Sequence, residues 1–227
     1  MTGAPRLPAA ADARTATLAA LTAAAALLAI VSAPWALGQP WLNWVFKPLA
    51  TIGIIAYAAG RGQDQPVLRR WVLAGLVFSL AGDIALLWPG RGFLPGLVSF
   101  LVAHLCYLVA FTRGIRLAAR PLPFVVYAVV AAAVLAWLWP GIPASLRLPV
   151  VAYVVALAAM AAQAAVRWRA GLAGPWLAAG GALFLASDAL LAANRFAEPL
   201  PMASLWVLAT YWTAQWCIAS SLAPPRR

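Results

Sequence analysis

Long apolar runs separated by short polar breaks repeat along the whole chain, at about 16 to 33, 45 to 60, 67 to 88, 93 to 112, 121 to 139, 144 to 166, 175 to 193 and 201 to 222. Each approaches the roughly 17–25 residues that an α-helix needs to cross about 30 Å of hydrocarbon. The breaks carry turn formers, among them Pro89, Gly90, Gly92, Pro140, Gly141, Pro143, Gly171 and Gly174, which stop or bend a helix. None of the breaks is long enough to fold a soluble domain. The pattern predicts an all-α membrane protein: residues 1–227 form a single multi-pass transmembrane domain, a bundle of about eight transmembrane helices. Residues 1–15 and 223–227 read as short tails. The second run is short and the joint between the last two is weakly marked, so seven or nine spans are the alternatives. Arg6 and Arg14 precede the first run as in a signal peptide, but that run exceeds a signal peptide's apolar core of roughly 7–15 residues, which favours a retained first helix.

Composition agrees: 65% of the residues are hydrophobic and 9% charged, against roughly 25% charged in soluble domains. A net charge of +11 raises the question of nucleic acid, and the distribution of the charge answers it. If successive breaks alternate sides, one side receives Arg6, Arg14, Arg61, Arg69, Arg70, Arg113, Arg116, Arg120, Arg167, Arg169, Arg226 and Arg227, and the other Arg91, Arg147 and Arg195, with Lys47 just inside the second helix. That is the positive-inside asymmetry of a membrane protein with both termini cytoplasmic, and it argues for no nucleic acid. The richness in Ala, Arg and Trp suits a GC-rich bacterium and hence its inner (plasma) membrane. Tryptophans near the predicted helix ends (Trp35, Trp41, Trp44, Trp71, Trp88, Trp139, Trp168) read as interfacial anchors. Cys106 and Cys217 fall inside helices without metal-ligand spacing and read as small core residues.

Of the five acids, Asp12, Asp64 and Glu198 belong to the tail or the breaks, whereas Asp83 and Asp188 lie inside apolar helices. An intramembrane acid marks a functional site by default, the bland alternative being a structural carboxylate bonded between helices. Each lies about five residues, roughly 8 Å at 1.5 Å per residue, below the predicted outer end of its helix. Each shares a face with small residues: Gly75, Ser79 and Gly82 in one case, Gly180, Gly181 and Ser187 in the other, with Phe184 on that second face. Small residues let helices approach closely in lipid, so both acids are expected to face protein.

Other polar groups collect toward the same layer. Lys47 lies near the outer surface, and Arg195, in Asn194-Arg195-Phe196, stands two turns past Asp188 on one face. Either cation serves to hold a carboxylate charged or to bind an anionic group; snorkelling to the interface is the alternative. His104 and Tyr107 are predicted deeper in the fourth helix, and Tyr211 and Gln215 share a face of the eighth. Helices one and five are almost free of polar residues and are expected to be outer walls. The segment around Gly82-Asp83 is similar to that around Ser187-Asp188, four helices later, which allows a parallel 4+4 helix repeat about an axis along the membrane normal.

Six segments, Lys47-Pro48-Leu49, Phe78 to Asp83, Ser99 to Tyr107, Leu183 to Asp188, Asn194-Arg195-Phe196 and Tyr211 to Gln215, resemble in order the signature segments of the YhhN-like lysoplasmalogenase family. The resemblance implies a membrane hydrolase that cleaves the vinyl-ether bond of lysoplasmalogens to a fatty aldehyde and glycerophosphoethanolamine or glycerophosphocholine. Asp83 and Asp188 are then the catalytic candidates, and Lys47, His104, Tyr107, Asn194, Arg195, Tyr211 and Gln215 the substrate-binding ones, without a metal or other cofactor. The partners implied are a lysophospholipid substrate and membrane lipid, with no particular oligomeric state.

Vinyl ethers hydrolyse by slow proton transfer to the β-carbon, giving an oxocarbenium ion that water captures. Glycoside hydrolases handle a similar cation with two carboxyl groups. Two acids in a low-dielectric site do not both ionise easily, so one is expected to keep its proton. With Arg195 on the Asp188 face, Asp83 reads as the acid and Asp188 as its ionised partner. A rival of another class is a proton-coupled transporter or lipid-binding protein using the same two acids. A metal hydrolase built on Asp83, Asp188 and His104 is disfavoured because helix counting puts His104 about 8 Å deeper than the acids, well beyond zinc-ligand distances of roughly 2 Å.

Overall fold

The computed structural model describes residues 10–88 and 90–224. Arg6, Pro89, Arg226 and Arg227 lie outside the described residues, as do the side chains of Asp12 and Arg14. Helices are the only regular elements among the described residues: α1 (Ala10–Val31), α2 (Pro40–Ala59), α3 (Pro66–Ala85), α4 (Phe93–Phe111), α5 (Pro121–Leu138), α6 (Ala144–Arg169), α7 (Pro175–Phe196) and α8 (Ala203–Ser220), with one 3-10 turn, Trp139–Gly141, between α5 and α6. Pro40, Pro66, Pro121 and Pro175 open four of them. The first turn of a helix has no intrahelical use for an N–H, and the fixed φ of proline already suits it.

The eight expected helices are all present, with shifted ends. The first begins at Ala10, so part of the expected tail is already helical. The third ends earlier, at Ala85, and the seventh runs on to Phe196. Five helices, α2, α4, α5 with its 3-10 turn, α6 and α7, are long and apolar enough to cross a membrane. Arg69, Arg70 and Asp83 dilute α3, yet it packs within the same bundle. The chain is thus a multi-pass, all-α membrane protein. Trp35, Trp41, Trp44, Trp88, Trp139 and Trp168 are exposed near helix ends, as interfacial anchors require. Cys106 and Cys217 are buried and free.

Neighbour relations run in parallel through the two halves of the chain. In the first half α1 packs on α2, α2 on α3 and α3 on α4; in the second, α5 packs on α6, α6 on α7 and α7 on α8. The halves then clasp crosswise, α2 against α8 and α6 against α4. Glycines make this packing tight: a side chain at Gly75 would strike the Tyr107 ring, one at Gly82 the Phe100 ring, and one at Gly181 the backbone of α6 at Ala161. Helices α2 and α6, equivalent in the repeat, both carry an interior proline, Pro48 and Pro149, which removes a hydrogen bond and bends a helix.

The outer helices are unequal. Helix α1 is pinned to α8, where Trp35 Nε1 donates to Ser204 Oγ at 2.7 Å and Ser204 Oγ donates to the Ile30 carbonyl at 3.4 Å. Helix α5 buries only Pro123, Ala131 and Leu138; it packs on α6 and brushes α7 without forming a packed interface with α4.

Candidate functional site

The two intramembrane acids sit in parallel surroundings. Asp83 on α3 is met by α2 of its own half and α8 of the other. Asp188 on α7 is met by α6 of its own half and α4 of the other. In each case the partner from the same half is a hydroxyl about one turn beyond the interior proline: Thr51 after Pro48, and Tyr153 after Pro149.

Around Asp83, Thr51 Oγ1 and Tyr211 Oη donate to Oδ2 at 2.6 and 2.7 Å, and Lys47 Nζ stands 3.7 Å from Oδ1. Trp212 Nε1 in turn donates to Thr51 Oγ1 at 3.1 Å, so the threonine proton is directed at the acid. The Asp83 side chain is 1% exposed. Buried charge survives when it is paired and hydrogen-bonded; a cation and two hydroxyl donors satisfy an ionised carboxylate here. Lys47 therefore does not snorkel. Its ammonium is turned inward to a single acid.

Asp188 has a thinner set of partners. Tyr153 Oη donates to Oδ2 at 2.5 Å, while His104 Nε2 lies 3.0 Å from Tyr153 Oη and 3.5 Å from the same Oδ2. Oδ1 receives no hydrogen bond from the described residues, and the side chain is 13% exposed. The His104 ring is gripped edge-on by Phe184, with its Nδ1 lacking a partner among the described residues. The nitrogen beside oxygens, Nε2, is the one placed to carry the proton of a neutral ring.

Three expectations need correction. His104 is adjacent to Asp188, not about 8 Å deeper; about half of the difference arises because α7 continues to Phe196 and carries Asp188 eight residues from its end, about 12 Å rather than 8 Å. Arg195 does not support the charge of Asp188: its exposed guanidinium stacks over Phe93, 3.9 Å from the ring centre, so the ground for making Asp188 the ionised acid is gone. Tyr107 and Gln215 do not reach the cavity described next; both are fully buried, and both Gln215 amide atoms lack hydrogen-bond partners among the described residues.

A cavity of about 500 Å³ opens between α2, α3, α7 and α8, and both acids line it with Lys47, Asn194, Arg195 and Tyr211. No hydrogen bond joins the two carboxyl groups among the described residues; they face a common space instead of sharing one proton directly. Asn194 also ties the α7–α8 turn by accepting from the Leu200 N–H at 2.9 Å. A second, almost wholly apolar cavity of about 80 Å³ lies between α4, α5, α6 and α7. The two adjoin: Leu86, Phe93, Phe100, Asp188 and Leu191 border both. Among the described residues Asp188 is the only acid common to them. Among the described residues, no three His, Cys, Asp or Glu side chains gather as metal ligands.

Thr51 and Tyr153 are site residues that the sequence reading missed. The available signal was weak but physical: each is a hydroxyl about one turn past a proline inside an apolar helix.

A model of the YhhN family matches residues 42–222. The chain is 35% identical over 166 residues to the lysoplasmalogenase of Mycobacterium bovis, covering 70% of this chain and 62% of that protein. It is 36% identical over 194 residues to lysoplasmalogenase TMEM86B of Sus scrofa, covering 82% and 77% of the two. To human lysoplasmalogenase TMEM86A it is 33% identical over 199 residues, covering 82% and 80%. The chain thus spans under two thirds of the length of the mycobacterial relatives it matches. No solved structure matches it.

Proposed function

The chain belongs to the YhhN family, and from that membership we propose that it hydrolyses the vinyl-ether bond of lysoplasmalogens, releasing a fatty aldehyde and glycerophosphoethanolamine or glycerophosphocholine. The observation that carries this reading is Asp188, placed where an apolar cavity meets a polar one that holds a cation and a second acid. A single-chain phospholipid has that same division, and the bond to be cut lies at its boundary.

The geometry favours roles opposite to those first expected. In this reading Asp188 is the acid: it accepts from Tyr153 on Oδ2, and the proton is delivered from Oδ1, the oxygen that meets no donor among the described residues. From there the proton passes to the β-carbon of the vinyl ether as the double-bond electrons form the new C–H bond. The α-carbon becomes an oxocarbenium ion, and the ionised Asp83 in the same cavity stabilises that positive charge. Electrostatic stabilisation of developing charge is worth most in a site shielded from water. Water adds to the cation and gives up a proton to Asp188, which restores the acid. The hemiacetal then collapses to aldehyde and alcohol. Lys47 and Arg195 lie on the polar side, where the phosphate would sit.

Purified protein in detergent, given lysoplasmenyl lipid, is expected to release aldehyde, while the saturated alkyl-ether analogue is left intact. The quasi-equivalent halves favour one rival, a transporter whose halves rock against each other. Transport needs two compartments and hydrolysis does not, so failure to release aldehyde from any vinyl-ether lysolipid in detergent would sink the hydrolase reading.

Localisation to the bacterial inner membrane with both termini cytoplasmic is part of the same proposal. It is supported by Arg61, Arg69, Arg70, Arg113, Arg116, Arg120, Arg167 and Arg169, which cluster at the bundle end opposite Lys47 and Arg195. A cysteine placed at Gln63 should be labelled by an impermeant maleimide only after cells are opened; labelling of intact spheroplasts would reverse the orientation.

A further inference from the structure

The parallel between the two halves makes the gap beside α5 informative. In the first half the outer helix, α1, closes against α8 through Trp35 and Ser204. The equivalent contact in the second half would be α5 against α4, and no packed interface joins those two among the described residues. The apolar cavity lies in its place, bordered by Leu97 and Phe100 of α4, Ala131 and Leu135 of α5, and Leu157 of α6. It reaches Asp188 at one side. From Leu138 to Ala131 on α5 it runs seven residues, about 10 Å at 1.5 Å per residue, two thirds of the roughly 15 Å hydrocarbon thickness of one leaflet.

We propose that the gap between α4 and α5 is a lateral portal through which the hydrocarbon chain of a single-chain lipid passes between the bilayer and the site, with the chain held against Ala131 and Leu135 while its polar end lies in the cavity of Lys47 and Asp83. This rests on the hydrolase reading and names where the chain of that substrate lies. The physical reason is continuity. A chain drawn from lipid through this gap never meets water, and its ether end arrives at the one acid that borders both cavities. Because α5 is fastened mainly to α6, its displacement breaks few contacts, whereas opening α1 from α8 would break the hydrogen bond between Trp35 and Ser204.

Two measurements test this separately from catalysis. First, the unaltered protein is irradiated with an uncleavable alkyl-ether lysolipid that carries a diazirine in the outer half of its chain. Cross-links are expected on α4 and α5; cross-links on α1 and α8, or spread evenly over the lipid-facing helices, would overturn the portal. Second, Ala131→Phe fills the cavity floor and is expected to lower kcat/KM for a long-chain lysoplasmalogen at least tenfold relative to a short-chain one of the same head group. An equal fall for both chain lengths would count against the chain site. If the unaltered protein releases no aldehyde from any vinyl-ether lysolipid while the cross-links still fall on α4 and α5, the hydrolase reading fails and the chain site stands.

Discussion

Asp188→Asn is expected to lower the turnover of lysoplasmalogen by about 10²–10⁴-fold, the usual worth of a positioned general acid, with the folded yield unchanged. The asparagine keeps the shape and still offers an oxygen to the Tyr153 hydroxyl, which donates at 2.5 Å in the unaltered protein. What it loses is the transferable proton on the oxygen that faces the cavity. Because protonation of carbon is the slow step of vinyl-ether hydrolysis, the loss should fall on kcat more than on KM. A solvent-deuterium effect on the unaltered enzyme should be sizeable for the same reason. Undiminished turnover in Asp188→Asn would remove this acid from the mechanism.

The pair on the other side of the cavity should respond in the opposite fashion, through stability first. With side-chain exposures of 9% for Lys47 and 1% for Asp83, removing either partner strands the other charge in a low-dielectric interior. That typically costs about 3–5 kcal/mol. Asp83→Asn and Lys47→Met are each expected to be destabilised to that extent, and the double variant to regain most of the loss, since replacing both charges leaves none buried alone. Unfolding of the four proteins in one detergent closes the cycle. The double variant should remain inactive, because the carboxylate that faces the oxocarbenium ion is absent. Additive destabilisation in the double variant would mean that Lys47 and Asp83 do not act as a pair.

Much of the bundle was legible in the linear pattern, because apolar runs of membrane length and the prolines that open α2, α3, α5 and α7 are local signals. The faces of Asp83 and Asp188 were legible as well, since small residues at helical spacing reveal the side along which another helix must pass. Depth was not. Counting down from an assumed end misplaced Asp188 by three residues, about 4.5 Å, because nothing local to the run marks that α7 continues past Ala193 to Phe196. The pairing of Lys47 with Asp83, instead of Arg195 with Asp188, belongs to the same class: α2 begins at Pro40 and not near residue 45, which sets Lys47 two turns inside the helix, and only the packing of α2 against α3 turns it inward. Tyr153 escaped notice because it stands among apolar residues of α6 and gains its meaning from α7 and α4.

The cross-clasped halves carry one more implication, for how two acids in one chain can differ. Two copies of a four-helix chain associated about a dyad would present two identical acids with identical neighbours, and any substitution favouring one role would appear at both. A division in which one carboxylate is paired with an ammonium while its counterpart sits beside an imidazole and a phenol is forbidden to such a homodimer. Joining the copies into one polypeptide lifts that constraint, letting each acid drift toward a separate task while the shared scaffold is kept.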